Sequence, residues 1–104
     1  MSQDHIDEER VEAAFKSIRA ARASAWNLSV DEVAALAERV RLEIMLERGM
    51  RRARKRWYRA YADFLDDVVE ERLEKEGRSA DTFHAGVVNY VRGMLSDNGG
   101  SDDG

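Results

Sequence analysis

Between Arg48 and Arg59 the sequence reads Arg-Gly-Met-Arg-Arg-Ala-Arg-Lys-Arg-Trp-Tyr-Arg, with seven cations and no carboxylate. A guanidinium is planar and presents its donors in a fixed fork that fits phosphate or carboxylate oxygens, so a block of this kind suits an anionic partner. At helical spacing Arg48, Arg52, Lys55 and Arg59 fall on one face, with Arg51 and Arg56 flanking it. Met50, Trp57 and Tyr61 point the other way. The leading expectation is a phosphate backbone, contacted largely without regard to base sequence, which makes nucleic acid the first candidate partner.

Directly downstream lie Asp63, Asp66, Asp67, Glu70, Glu71, Glu74 and Glu76, opposed by Arg72 and Lys75. One helical region thus carries a positive block and then a negative one. Charge runs on helices are commonly solvated faces, or faces satisfied by opposite charge on another protein surface. The competing expectation is therefore a protein–protein adaptor or a self-assembling helical subunit. In its homodimer form, two chains cross antiparallel near Ala60 and set each basic block along the partner's acidic block. The buried strip between them would be Met50, Trp57, Tyr61, Phe64 and Val68.

Trp57, Tyr58 and Tyr61 interleave with the arginines, which raises base stacking. Trp57 and Tyr61 continue an apolar seam to Phe64 and Val68, however, so packing is expected for both, and Tyr58 alone stays open for stacking.

Catalytic chemistry finds no foothold. His5 and His84 lie in different predicted helices, and neither belongs to a spaced carboxylate or histidine motif. No Gly-rich phosphate loop is present, and the absence of cysteine leaves no thiolate metal site. Asp66, Asp67, Glu70 and Glu71 could approach a hard cation, but consecutive carboxylates on a helix are ordinarily solvated. The expectation is a non-enzymatic binding protein with no metal and no cofactor.

Composition bounds the rest. The chain has 104 residues and a net charge of −4, which fits one domain with a modest core and argues against a general nucleic-acid coat while leaving one basic face available. No apolar run approaches membrane-spanning length, and the acidic N-terminus does not read as a signal peptide. Without cysteine, a cytoplasmic setting and no membrane are expected.

Proline is absent and Ala, Leu, Glu and Arg are abundant, so the expected fold class is all-α, a small bundle of three or four helices. Val11, Ala14, Ile18, Ala21, Ala25 and Leu28 give a first helix from about Asp4 or His5 to about Trp26, with Asp4 as its cap. Ser29-Val30-Asp31-Glu32 has the form of a capping box, with Leu28 and Val33 placed as a hydrophobic staple, so a helix starts at Ser29. Leu28 to Ala37 has the cadence of the first helix of a helix-turn-helix, yet Glu38 to Glu43 continues it with no turn.

The seam Val30, Val33, Ala37, Val40, Ile44 changes phase into Leu46, Met50, Ala53, Trp57, Tyr61, Phe64, Val68, with Gly49 at the change. An unbroken helix from Val30 to Glu76 would be about 70 Å long. A domain of this size has a radius of gyration of only roughly 13 Å. A break or sharp bend near Glu47 to Gly49 is expected. Gly77 stops the long helix, and a last helix starts at Ser79 or Asp81, with Phe83, Val87, Val88, Val91, Met94 and Leu95 on its apolar side. The single domain is expected to span residues 1–96, with 97–104 a flexible tail. The expected core is Val11, Phe15, Ile18, Trp26, Val33, Val40, Ile44, Trp57, Phe64, Val68, Phe83, Val87 and Val91.

Overall fold

A computed structural model describes residues 6–18 and 27–99, and of residues 80–82 and 96–99 only the backbone. Among the described residues there are four helices and no strand: α1 (Glu8–Lys16), α2 (Val30–Leu46), α3 (Arg52–Glu76) and α4 (Ala80–Gly99). The all-α expectation holds.

Helix α2 is the hub, and each of the other three packs on it. Its first two turns read Val-Asp-Glu-Val-Ala-Ala-Leu-Ala, and every one of these residues is buried. A helix buried around its whole circumference, rather than along one stripe, has neighbours on all sides. The seam predicted for this segment is therefore too narrow. Val33, Ala37 and Val40 are in the core as expected, and Ala34, Ala35 and Leu36 join them from the opposite faces. The small alanines let flanking helices come close. Leu36 and Leu65 of α3 are fully buried, and each contributes about 1.5–3 kcal/mol of transfer free energy.

The α2 start is built as the sequence predicts. The Glu32 N–H donates to Ser29 Oγ (3.1 Å), and the Ser29 N–H donates to Glu32 Oε1 (2.9 Å), closing the capping box. Leu28 and Val33, the staple pair, are both buried.

Helix α1 is shorter than its pattern suggests. Asp7, not Asp4, caps it, accepting from the Glu9 N–H at 3.0 Å. It ends at Lys16, where Ser17 and Ile18 bring low helix propensity. The rest of the predicted first helix, including Ala21, Ala25 and Trp26, lies outside the described residues, as does Asp4.

The predicted break is present. Helix α2 ends at Leu46, Glu47 is extended, and α3 begins at Arg52. Two seams of different phase thereby belong to two helices that can each turn inward. Helix α3 ends in a Schellman turn at Gly77, which has φ +64°, the left-handed conformation glycine adopts without a Cβ penalty. The Arg78 N–H donates back to the Leu73 carbonyl (3.2 Å) and the Gly77 N–H to that of Glu74 (3.3 Å). Helix α4 buries Val87 and Tyr90, with Phe83, Val91 and Met94 packed beside them. It runs on to Gly99, so residues 97–99 of the expected tail are helical, and 100–104 lie outside the described residues.

Two expected core residues do not join the core. Trp57 is 42% exposed, because Tyr61, Leu65 and Val68 set the inward direction of α3 and Trp57 falls at the edge of that sector. Ile44 is only half-buried and outside the central cluster, near the end of α2 where the flanking helices no longer cover every face. Trp26 is not among the described residues. No described helix is long and apolar enough to cross a membrane.

Candidate functional site

The break between α2 and α3 redistributes the predicted basic face. Arg48 sits in the turn before α3, so it leaves the helical wheel on which it aligned with Arg52. Arg51 is the residue preceding the helix, extended and exposed. Arg52, Arg56 and Arg59 are exposed on α3, and Lys55 is half-buried beside them. These four line one shallow recess of about 390 Å³. The structure thus gathers four of the six predicted anion-binding residues and leaves Arg48 and Arg51 leading up to them. Arg54, exposed on another face, adds a further cation.

Among the described residues, none of these seven cations lies within ion-pair distance of a carboxylate. Of the other described arginines, Arg10, Arg39, Arg41, Arg72 and Arg78 are engaged, and Arg92 is exposed without a carboxylate partner among the described residues. On α2, Arg39 donates from Nε to Glu12 (2.8 Å) and from Nη1 to Glu43 (2.9 Å), with its guanidinium 4.1 Å from the centre of the Phe15 ring. Burial works to lower its pKa, but the hydrogen bonds to Glu43 and Glu12 outweigh this and raise it further. Arg41 reaches across to α3, donating to Asp66 and standing 3.7 Å from Asp63, while also pairing with Glu38 (3.0 Å). Further along α3, Lys75 pairs with Glu71 and Arg72 with Glu76. Part of the acidic block is therefore held inside the chain, whereas the basic block is not.

The start of α3 is also electrostatically unfavourable. Arg51 gives no side-chain cap, and the first turn contains no acid. Cations there face the positive end of the helix dipole and one another. An anion placed on these side chains would relieve both repulsions.

The predicted interface strip divides. Met50, Tyr61 and Val68 are buried within the chain. Phe64 is partly buried against the core, and Trp57 stays open. Only the last two retain surface for a second copy. Asp63 and Asp66, two of the carboxylates expected to meet a partner's arginines, already face Arg41. Tyr58, left open from the sequence, is half-buried and sits edge-on to Phe15 with ring centres 6.5 Å apart.

Two buried carboxylates form a second charged cluster that the sequence reading did not anticipate. Asp31 and Glu32 open α2, each 2% exposed. Glu32 closes the capping box with one oxygen and accepts the Asp7 N–H on the other (2.8 Å), tying the start of α1 to that of α2, with Arg10 at 3.5 Å. Asp31 faces Arg78. Nη2 donates to Oδ2 at 3.3 Å, and Nη1 lies 3.0 Å from Oδ1, off the hydrogen-bonding direction, so that contact is ionic. The Schellman turn at Gly77 delivers Arg78 to this position. The arrangement is structural: it joins α1, α2 and the α3–α4 connection.

A cleft of about 330 Å³ between α2, α3 and α4 is lined by apolar Ala34, Val69, Leu73, Phe83 and Val87, with Asp67, Glu70 and His84 among its polar edges. Among the described residues, no three carboxylate or imidazole groups converge as a metal ligand set. No protein-family model, no curated protein and no solved structure matches the chain, so its functional reading rests on its own geometry.

Proposed function

We propose that this is a non-enzymatic binding protein that takes an anionic partner, nucleic acid, on the basic face opening α3. Arg52, Lys55, Arg56 and Arg59 form the centre of the contact, and Arg48 and Arg51 extend it along the preceding turn. The observation that carries this reading is the asymmetry of pairing. Among the described residues, every cation of the block lacks a carboxylate partner, while Arg10, Arg39, Arg41, Arg72, Lys75 and Arg78 each have one; outside the block, Lys16 and Arg92 stand singly without one. Guanidinium groups gathered around one recess fit phosphate oxygens, and the contacts carry no base information, so binding is largely independent of sequence.

The reading with an acidic protein surface in place of nucleic acid uses the same cations. Its homodimer form is the weaker version, because Met50, Tyr61 and Val68 are used inside the chain and Arg41 already occupies Asp63 and Asp66.

The test is retardation of short DNA and RNA at low salt, with wild type and with Arg52, Lys55 and Arg59 all changed to alanine. Wild type should bind, and log K should fall by about 0.9 per log unit of salt for each phosphate neutralised on a duplex. The triple variant should lose binding and keep its helical circular dichroism. A wild-type protein that retards neither nucleic acid at low salt overturns the proposal.

A further inference from the structure

Trp57 stands on the same helix as the cations of the basic recess, yet it takes no part in the core. Its indole stacks nearly parallel on Tyr61, with ring centres 5.6 Å apart and planes 12° apart. Tyr61 is buried and stacks in turn on Phe64 at 6.2 Å and 23°. Tyr58 meets Trp57 edge-on at 5.7 Å. The indole is therefore braced from the inside by a short aromatic series, while 42% of the residue remains open to solvent.

Its helical neighbours leave that open side clear. Residues three and four apart on a helix are the ones that touch. For Trp57 these are Ala53, Arg54, Ala60 and Tyr61, and both alanines are exposed. Two methyl groups do not obstruct a flat ligand laid on the ring. Arg54, one turn earlier, is exposed and has no carboxylate partner among the described residues, and the recess of Arg52, Lys55, Arg56 and Arg59 begins on the adjoining face. A rigid aromatic surface flanked on both sides by exposed guanidinium groups matches the two requirements of single-strand binding, a stacking platform and a cationic track for the backbone. A duplex keeps its bases stacked on each other and offers the indole no free face. A bilayer takes up a contiguous apolar helix face, whereas on this part of α3 the indole stands between alanines and arginines.

We infer that Trp57 is a stacking site for an unpaired base, so that the ligand of the basic face is single-stranded nucleic acid, with Arg54 and the Arg52–Arg59 recess taking the flanking phosphates. This rests on the function proposed above and narrows it from nucleic acid in general to single strands.

The test compares a dye-labelled oligothymidylate with a duplex of equal length by fluorescence anisotropy, for wild type, Trp57→Leu, Trp57→Phe and the Arg52, Lys55, Arg59 alanine variant. Intrinsic fluorescence of a Trp26→Phe protein, in which Trp57 is the sole tryptophan, follows the same titrations and one with phosphatidylserine vesicles. Trp57→Leu should weaken oligothymidylate binding by about tenfold and leave duplex binding unchanged, and Trp57→Phe should restore most of the loss. Oligothymidylate should quench Trp57. If the alanine variant loses binding while Trp57→Leu weakens neither ligand, or both equally, the stacking site is overturned and the basic face stands. If wild type binds neither nucleic acid, the basic-face reading fails and the stacking site with it. Quenching by vesicles but not by oligothymidylate makes the site a lipid contact and overturns it. So does dissociation of a wild-type dimer by Trp57→Leu without loss of oligothymidylate affinity.

Discussion

At the start of α2, two carboxylates are almost completely buried, and donors from three other parts of the chain meet them: Asp7 and Arg10 around α1, Ser29 at the cap, and Arg78 after α3. At the start of α3, the charges are exposed, of the opposite sign, uncapped and without carboxylate partners among the described residues. The first arrangement agrees with the helix dipole and the second opposes it. A fold that completes its own electrostatics at one helix start and leaves the other incomplete divides its charge between structure and surface. Charges needed for folding are buried and matched internally. Charges left unmatched on the surface are available to something else.

Substitutions can break or sharpen this contrast. The largest effect is expected at Asp31. Asp31→Ala removes the buried partner of Arg78 and should cost about 3 kcal/mol in urea unfolding. Arg52→Ala, on the other side of the contrast, should change stability by less than about 0.5 kcal/mol. Equal costs at the two sites would erase the distinction.

Glu32→Ala comes next, at about 2 kcal/mol, because it opens the capping box and strands the Asp7 N–H. Ser29→Ala should cost about 1 kcal/mol, since it removes one half of the box only. Hydrogen exchange should show α1 amides losing protection in Glu32→Ala and keeping it in Ser29→Ala. A Ser29→Ala variant as stable as wild type would mean that the cap contributes nothing.

An effect of similar size and opposite sign is expected at the α3 start. Arg51→Asp supplies a capping side chain and a charge suited to the dipole, so it should stabilise the protein by about 1 kcal/mol. The same change should weaken nucleic-acid binding. Stabilisation without loss of binding would show that the exposed charge at this position serves no ligand.

The smallest effect at neutral pH is expected at Tyr90. Burial, and then the nearby Glu12 and Glu8, push its pKa from 10.0 up to about 12, with Arg39 opposing. A raised folded-state pKa means that the neutral phenol is favoured in the fold. Its contribution is complete below pH 10.0 and is lost as pH rises from there towards about 12. Tyr90→Phe should be close to neutral at pH 7 and should lessen the loss of stability over that alkaline range. An unchanged alkaline profile would place the phenol in solvent.

Much of the fold is legible in local pattern. The Ser29 box, the break near Gly49 and the Gly77 stop are all local, set by side chains or backbone freedom within a few residues, and each is found where the sequence puts it. The basic block is equally plain, as a composition without counter-charge. Trp57 and Tyr61 show the limit. They lie four residues apart on one seam, yet one is 42% exposed and the other 1%. Periodicity gives the direction of a seam but not how wide a sector the neighbours cover.

The sequence by itself determined the helical class, the α2 start at Ser29, the break before α3, the α3 stop at Gly77 and the cluster of cations, because helix propensity, capping and charge density act over a few residues. Only the tertiary structure decided which charges are answered. Asp31 meets Arg78 across |i−j| = 47, Arg41 meets Asp66 across 25, and Glu32 meets the Asp7 N–H across 25. Each needs helices to cross at a particular place, and that place is set by packing against α2, whose alanine-rich faces admit neighbours on every side. The same packing turned Tyr61 inward and left Trp57 at the edge, beside cations that have no carboxylate partner among the described residues.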